Sequence, residues 1–471
     1  MKSKKNMLVL LMLSGCAAAV PVQKDAAFTY AVEAVQAESY EDGAKAAWTF
    51  LSSADPDDPR YDRGLRLLAS SAEGMQLTWA AGMIYRQIAQ ARRNMELVPG
   101  ALKGIERIVN SGIYDEDSLI TSFIATEEFG DLPEDVQAFV DYHQGLDSAR
   151  RGADSWAGER FAKLPQSSPY AADAEYVRIV GLVADGNYTD ALKRLEKLRK
   201  HPYISMRRLR DVERTLARLA FEEQRFEDAL EHFGTLRELA PDDPEILLEM
   251  AWTHYYLGDS RKTLGLLTAL DAPVHQSYIS PERYLLEALA LRRLCQFGAA
   301  REAAVRLERR YSESLKALSE GRLAADIPEM RSAARLRGRS KNNAAFMKHL
   351  EMEQRILGSM GESLGPELKA YLDDLYERGL GEARKREEYI IGSDLNDLTE
   401  ELLSSREGVR LIVHELGVAL LRGRRRPAGA VEKPPVNVPL TGDRVFYPFS
   451  GEFWTDELDD LVVIAEDRCI D

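Results

Sequence analysis

The residues of this chain that could do chemistry are scattered rather than grouped. The seven histidines, His143, His201, His232, His254, His275, His349 and His414, include no pair at metal-ligand spacing and no H-E-x-x-H run, so no metal site is expected. Gly361-Glu362-Ser363-Leu364-Gly365 matches G-x-S-x-G, the turn that exposes a serine nucleophile when a strand precedes it and a helix follows. Helical patterning lies on both sides here, which makes the segment an interhelical turn and Ser363 an ordinary serine. Acidic pairs such as Asp373-Asp374 and Asp459-Asp460 read as solvated surface rather than as a general acid and base. No Walker A or dinucleotide-binding glycine pattern occurs. The chain is read as a non-enzyme, with no catalytic residue and no cofactor.

Composition sets the wider bounds. The 471 residues carry 62 Lys+Arg against 77 Asp+Glu, a net charge of −15, and 45% of them are hydrophobic. That apolar fraction supports a substantial core. An acidic balance without a long basic tract lacks the electrostatic footprint of a nucleic-acid binder. Three cysteines exclude a disulfide-dense scaffold.

The N-terminus carries a destination. Lys2, Lys4 and Lys5 precede the apolar run MLVLLML at residues 7–13, and Ser14 and Gly15 lead to Cys16. Residues 1–15 read as a secretory signal, since the run is far shorter than the roughly 20 residues of a membrane span. The L-S-G-C ending resembles the lipobox of bacterial lipoproteins, which implies that Cys16 becomes the first mature residue and carries acyl chains. Residues 16–30 would then be a lipidated tether. Ala17 in place of Asp is similar to the pattern that sorts enterobacterial lipoproteins to the outer membrane, and the implied location is that membrane, facing the periplasm. In an oxidising compartment Cys295 and Cys469 could bridge, remain free or pair between molecules; their sequence contexts leave all three open.

The elements that would position any site repeat. Ala157, Ala191, Ala229, Thr263 and Ala300 recur at spacings of 34, 38, 34 and 37 residues with similar neighbours: Gly186-Asn187-Tyr188-Thr189-Asp190-Ala191-Leu192 aligns with Gln224-Arg225-Phe226-Glu227-Asp228-Ala229-Leu230. This resembles the tetratricopeptide repeat, a helix pair of 34 residues. In that family the small anchor lets the two helices approach, and a large apolar residue four positions on, here Phe161, Leu195, Phe233 or Leu267, packs beneath it. Asp243-Pro244-Glu245 and Ser280-Pro281-Glu282 each place an N-cap before a first-turn proline. Pro169 and Pro241 stand where the family's closing proline falls, and Gly258 suits a helix C-terminus. Units are assigned at 138–171, 172–209, 210–243, 244–280 and 281–315, with two weaker ones around 40–56 and 65–90. The fold class is all-α: a tetratricopeptide-repeat superhelix, a helix-turn-helix solenoid, over 31–325. Long capping helices follow over 326–426, with a break expected at Gly392-Ser393-Asp394. A Pro-rich linker at 427–440 and an extended aromatic tail at 441–471 complete the chain.

Stacked helix pairs leave an extended face formed by the first helix of each pair. Projecting the family's groove positions gives Tyr142, Arg150, Tyr176, Arg214, Arg218, Phe221, Trp252, Tyr255, Tyr256, Arg292 and Arg293 as the partner-binding groove. Aromatic and arginine side chains dominate interface hot spots, and arginines lining the groove favour a partner segment carrying carboxylates and apolar anchors. In the tail, Phe446, Tyr447, Phe449, Phe453 and Trp454 either anchor it to the helical body or dock to a partner. The basic run 422–426 suits a helix C-terminus or anionic lipid. The string G-E-F-W-T-D-E-L at 451–458 is similar to a tail of repeat-containing myxobacterial envelope proteins. Lipobox, repeats and tail together resemble the tetratricopeptide lipoproteins of the myxobacterial gliding-motility machinery. That resemblance implies a lipid-anchored envelope scaffold holding partner proteins in a motility complex. A component of outer-membrane protein assembly or of peptidoglycan-synthesis coordination is the alternative, and a wall-degrading enzyme a third.

Overall fold

The computed structural model describes residues 19–275, 280–423, 458–463 and 465–469. Cys16, the linker 427–440, Phe446, Tyr447, Phe449, Phe453 and Trp454 lie outside them. Among the described residues the elements are helices, with no strand. They run in pairs: α1 (Ala19–Gln36) with α2 (Tyr40–Ser53), α3 (Tyr61–Gly74) with α4 (Thr78–Ala91), and α5 (Val98–Asn110) with a π-helical segment, Asp117–Ile124. Next come α6 (Glu134–Arg150) and α7 (Asp154–Ala162), α8 (Pro169–Ala184) and α9 (Tyr188–Leu198), and α10 (Met206–Glu222) and α11 (Phe226–Leu239). They are followed by α12 (Pro244–Leu257) and α13 (Ser260–Ala269), then α14 (Glu282–Arg293) and α15 (Phe297–Arg310). Short helices α16 (Ser312–Ser319) and α17 (Pro328–Ala334) lead to two long ones, α18 (Gly338–Ser359) and α19 (Pro366–Gly423).

The anchors behave as their spacing requires. Ala191, Ala229, Thr263 and Ala300 are fully buried and Ala157 nearly so, with Phe161, Leu195, Phe233 and Leu267 buried one turn on. Each anchor follows by five residues a turn residue in the left-handed region: Gly152, Gly186, Gln224, Gly258 and Cys295. That conformation reverses the chain within two or three residues, so the second helix returns along the first. The same pair of features recurs at Glu38 with buried Gly43 and at Gln76 with buried Ala81. The N-terminal unit expected around 65–90 is the α3–α4 pair, whereas the one expected around 40–56 covers only α2, whose partner α1 reaches into the stretch expected as a tether. A Cβ at Gly43 would lie 2.8 Å from Ser71 Oγ, which explains why a glycine stands at that anchor. The fold is a succession of helix pairs of the tetratricopeptide type.

Cap expectations hold in part. Asp243 accepts the Glu245 N–H at 3.0 Å and Gly258 closes α12. Ser280 instead turns its hydroxyl to Glu401, at 3.2 Å, and Pro169 opens α8 rather than closing the preceding pair.

The chain divides into two compact units, residues 1–171 with 342–388 and residues 172–341 with 389–471. In the first, a fully buried Glu353 on α18 closes the N-terminus of α4: its carboxylate accepts the N–H of Thr78 at 2.8 Å and of Trp79 at 3.0 Å. The hydroxyls of Thr78 and Tyr376 donate to it at 2.5 and 2.7 Å, and His349 Nε2 stands 2.8 Å away. Burial, then the Glu353 charge, pushes the Tyr376 phenol well above its ordinary range. Trp79 donates its indole N–H to the Leu375 carbonyl at 3.2 Å, and Gly379 leaves room for that ring, since a Cβ there would stand 2.9 Å from the indole nitrogen. Arg386 on α19 pairs with the buried Asp115 at 2.7 Å and with Asp117 at 2.5 Å.

In the second unit Ile391, Leu395, Leu398 and Leu402 form a buried stripe of α19 in one core with Ala300, Ala303 and Leu307 of α15. The helix break expected at Gly392-Ser393-Asp394 is absent. A mid-helix glycine costs about 1 kcal/mol, whereas each buried large aliphatic side chain gains about 1.5–3 kcal/mol. Asp394 is a cap for another helix, accepting the Ser340 N–H of α18 at 3.0 Å. The G-x-S-x-G segment is a 3-10 turn between α18 and α19, and Ser363 Oγ donates to the Met360 carbonyl at 2.6 Å.

Glu353→Ala removes the acceptor of two helix N–H groups and two hydroxyls. Unfolding of the first unit is expected to become easier by about 3 kcal/mol, read from the urea midpoint of the full chain; an unchanged midpoint would show the network to be incidental.

Candidate functional site

The first helices of three successive pairs in the second unit, α10, α12 and α14, present one face each to a common space. Arg218, Phe221 and Glu222 lie three and four residues apart on α10, and Glu249, Trp252 and Tyr256 lie three and four apart on α12, spacings that share a helix face. With Phe233 of α11 and Glu282 of α14 they line a cavity of about 430 Å³. The size is that of a small-ligand or side-chain pocket. Phe233 is buried and contributes the floor, while Tyr256 is 53% exposed.

The aromatics form a continuous wall. Phe221 meets Tyr256 edge-on at 5.4 Å, Phe226 stacks on Tyr256 at 5.5 Å, and Trp252 stacks on it at 6.1 Å. Tyr255 stands edge-on to Trp252 at 5.9 Å and packs inward against the core.

Charge at the cavity is set by carboxylates. Arg218 Nε donates to Glu249 Oε1 at 2.7 Å. The second oxygen, Glu249 Oε2, is buried with no donor among the described residues. Burial holds the Glu249 carboxyl above its usual range against the pull of Arg218 and Arg214. Glu282 is raised by burial and by repulsion from Glu401.

Of the residues projected onto the groove, the structure brings Arg218, Phe221, Trp252 and Tyr256 to this cavity, with Tyr255 behind them. Arg214 pairs with Glu245 at 2.9 Å and with Asp243. Tyr176 is half-buried, its hydroxyl 2.9 Å from Thr215 Oγ1 and its ring under the Arg208 guanidinium at 4.4 Å. Arg292 pairs with Glu415 at 2.9 Å. Arg293 lies 4.8 Å over the Tyr255 ring and donates to the Tyr255 carbonyl. In the first unit Tyr142 is buried and stacks on Tyr170 at 5.3 Å, and Arg150 pairs with Glu116. The expected arginine-lined groove for an acidic partner is thus corrected: these arginines already have carboxylate or carbonyl partners, and the cavity holds three glutamates to one arginine. Glu222, Glu249 and Glu282 were passed over in the sequence, although the first two share helix faces with the aromatics that were singled out.

The C-terminal segment folds back within the same unit. Leu458 and Leu461 enter the core around α11 to α13, and Val463 and Ala465 that of α14 to α17. The Val463 N–H donates to the Arg261 carbonyl at 3.2 Å, and Arg261 Nε returns a bond to the Ala465 carbonyl at 3.0 Å. Arg237 pairs with Asp459 at 2.8 Å, so Asp459 is an anchor rather than plain solvated surface. A Cβ at Gly265 would collide with the Leu461 carbonyl, so the segment requires glycine there. Beyond it, the Arg468 N–H donates to the Leu294 carbonyl at 2.9 Å, and Cys469 is bridged to Cys295 with Cα atoms 5.0 Å apart. The pairing left open in the sequence is an intramolecular disulfide.

Among the described residues no group of histidine, cysteine and acidic side chains could hold a metal ion, and no helix is long and apolar enough to cross a membrane. No protein-family model matches the chain, and no curated protein matches it. Among solved structures the chain is similar to one in the crystal structure of the APC/C hetero-tetramer Cut9-Hcn1, at 11% identity over 84% of this chain and 90% of that one, with a TM-score of 0.22. A likeness of that degree adds nothing to what the chain's own helix pairs show.

Two outcomes follow from these contacts. The denatured, unreduced chain should titrate two fewer thiols than the reduced one, and Cys469→Ser should make the 458–469 segment a preferred site of protease cleavage; equal thiol counts would remove the bridge. Burial, with Arg150 nearby, holds the His143 imidazole down at about 3. Its folded pKa lies below its unfolded one, so the unfolded chain binds the extra proton and stability falls as pH drops below about 6.5. The loss from this residue approaches about 1.4 kcal/mol per pH unit about one unit below 6.5, and urea titrations of wild type and His143→Gln between pH 5.5 and 4 should differ by that slope.

Proposed function

We propose that this chain is a lipid-anchored adaptor of the bacterial envelope that captures a segment of a partner protein in the cavity between α10, α12 and α14, as part of a gliding-motility complex. The observation that carries the adaptor reading is the wall of Phe221, Trp252 and Tyr256 on the first helices of adjacent pairs, with Tyr256 half-exposed above a cavity of about 430 Å³. Aromatic anchors of this kind dominate the energetics of protein interfaces. Leu13-Ser14-Gly15-Cys16 supports attachment through acylated Cys16 and delivery to the outer membrane with the helical body on the periplasmic side. The Cys295–Cys469 bridge fits an oxidising compartment. The motility role rests on the resemblance of lipobox, repeats and tail to the myxobacterial lipoproteins.

Cross-linking in the cells that make the protein, followed by purification of the lipidated chain, tests this. Motility-complex subunits should be recovered with wild type and fall at least tenfold with a Trp252→Ala, Tyr256→Ala double variant that remains folded. Equal recovery would sink the cavity as the capture site, and recovery of outer-membrane assembly or wall-synthesis subunits would move the adaptor to that machinery. Cys16→Ser should release the chain from the membrane fraction; continued membrane retention would overturn the anchor.

A further inference from the structure

The adaptor reading leaves the chemistry of the captured segment open, and the cavity constrains it. Its lining contains three carboxylates, Glu222, Glu249 and Glu282, against one guanidinium. That guanidinium is committed: Arg218 gives both Nε and Nη2 to Glu249 Oε1. The other oxygen of that carboxylate and the Trp252 indole N–H are both shut off from the open cavity, so the charge the cavity offers a ligand comes chiefly from the exposed Glu222 and the half-buried Glu282. Across the cavity stand the faces and edges of Phe221, Trp252 and Tyr256. Aromatic rings beside carboxylates attract a cation through the ring quadrupole and by charge together.

We propose that the cavity takes the cationic side chain of an arginine or lysine in the partner segment, with the carboxylates of Glu222, Glu249 and Glu282 as its counter-charges and Trp252 and Tyr256 as its aromatic walls. This rests on the adaptor reading and sets the sign of the partner's charge. Both Glu249 and Glu282 are held above the ordinary carboxyl range, by burial first. A cation between them supplies the compensating charge that Arg214 and Arg218 on one side and Arg337 beside Glu401 on the other leave incomplete. An acidic side chain in the same space would face three carboxylates and find its one arginine already paired. A purely apolar side chain would take water from the Glu222 and Glu282 carboxylates without supplying a counter-charge, at a cost.

Selection of a random heptapeptide library on the full chain tests the charge directly. Selected peptides should carry arginine or lysine at one fixed position, and replacing it by norleucine should weaken binding at least tenfold. Glu282→Gln should weaken the same peptides at least tenfold, with its thermal unfolding midpoint serving as the control for folding. Glu249→Gln, a second variant on a different helix, should weaken them several-fold. Enriched peptides that are acidic or apolar at every position, yet are lost on Trp252→Ala, would overturn this inference and leave the adaptor reading standing. Peptides indifferent to Trp252→Ala and Tyr256→Ala, or no enrichment at all, would overturn both.

Discussion

Two helices of a pair can lie against each other only where one of them carries a side chain small enough to let the backbones approach, and only if the connection reverses within a few residues. In this chain both conditions are met at a fixed offset. A left-handed turn residue precedes each small buried anchor by five positions, from Glu38 and Gly43 through Cys295 and Ala300. At Gln224 and Cys295 the turn is made without glycine, at a cost of about 1–2 kcal/mol each, which the burial of Phe233 and of the Ala303–Leu307 core of α15 exceeds. Everything at the cavity inherits this constraint. The anchors Ala229 and Thr263 seat α11 and α13 beneath α10 and α12, and that seating turns Phe221, Trp252 and Tyr256 to one side.

A second device works at longer range. The first four N–H groups of a helix lack internal partners, and here two helix starts are closed by carboxylates from distant parts of the sequence. Glu353 closes α4 across 275 residues and Asp394 closes α18 across 54. A capping carboxylate supplied from another helix fixes that helix in register as well as satisfying the donors. The continuity of α19 through Gly392 follows from the same economy: the stripe from Ile391 to Leu402 is buried, and Asp394 is held by the helix start it caps.

How much of this was legible in the sequence depended on whether the signal was local. The five units from residue 138 onward could be read because each repeats an alanine or threonine with the same neighbours. Of the N-terminal pairs, the one over 61–91 matches the unit expected around 65–90, whereas only α2 of the first falls within the expected 40–56, because its anchor is Gly43 and its turn Glu38, neither of which advertises its role by residue type. The aromatic half of the cavity was readable from helical spacing. Its acidic half was not, because the arginines of α10 are paired with glutamates one repeat away: Arg218 with Glu249, Arg214 with Glu245. Ion pairs between successive first helices join residues about 31 apart, a distance at which no sequence pattern marks them. The bridge from Cys295 to Cys469 spans 174 residues and was invisible for the same reason.

The returning C-terminal segment ties these levels together. It runs over α11 and α13, the second helices of their pairs, and ends at the turn between α14 and α15, where Cys295 is the left-handed residue. Leu458 shares a core with Ile246, Leu247 and Leu286, side chains of α12 and α14. The strap therefore holds, from behind, the two helices that carry Trp252, Tyr256 and Glu282, and it leaves their opposite faces uncovered by residues 458–469. A binding pocket whose walls are fixed before the ligand arrives loses less conformational entropy on binding. The covalently closed strap thus adds, to the contacts each helix pair makes with its neighbours, a tie that joins α12 and α14 from behind.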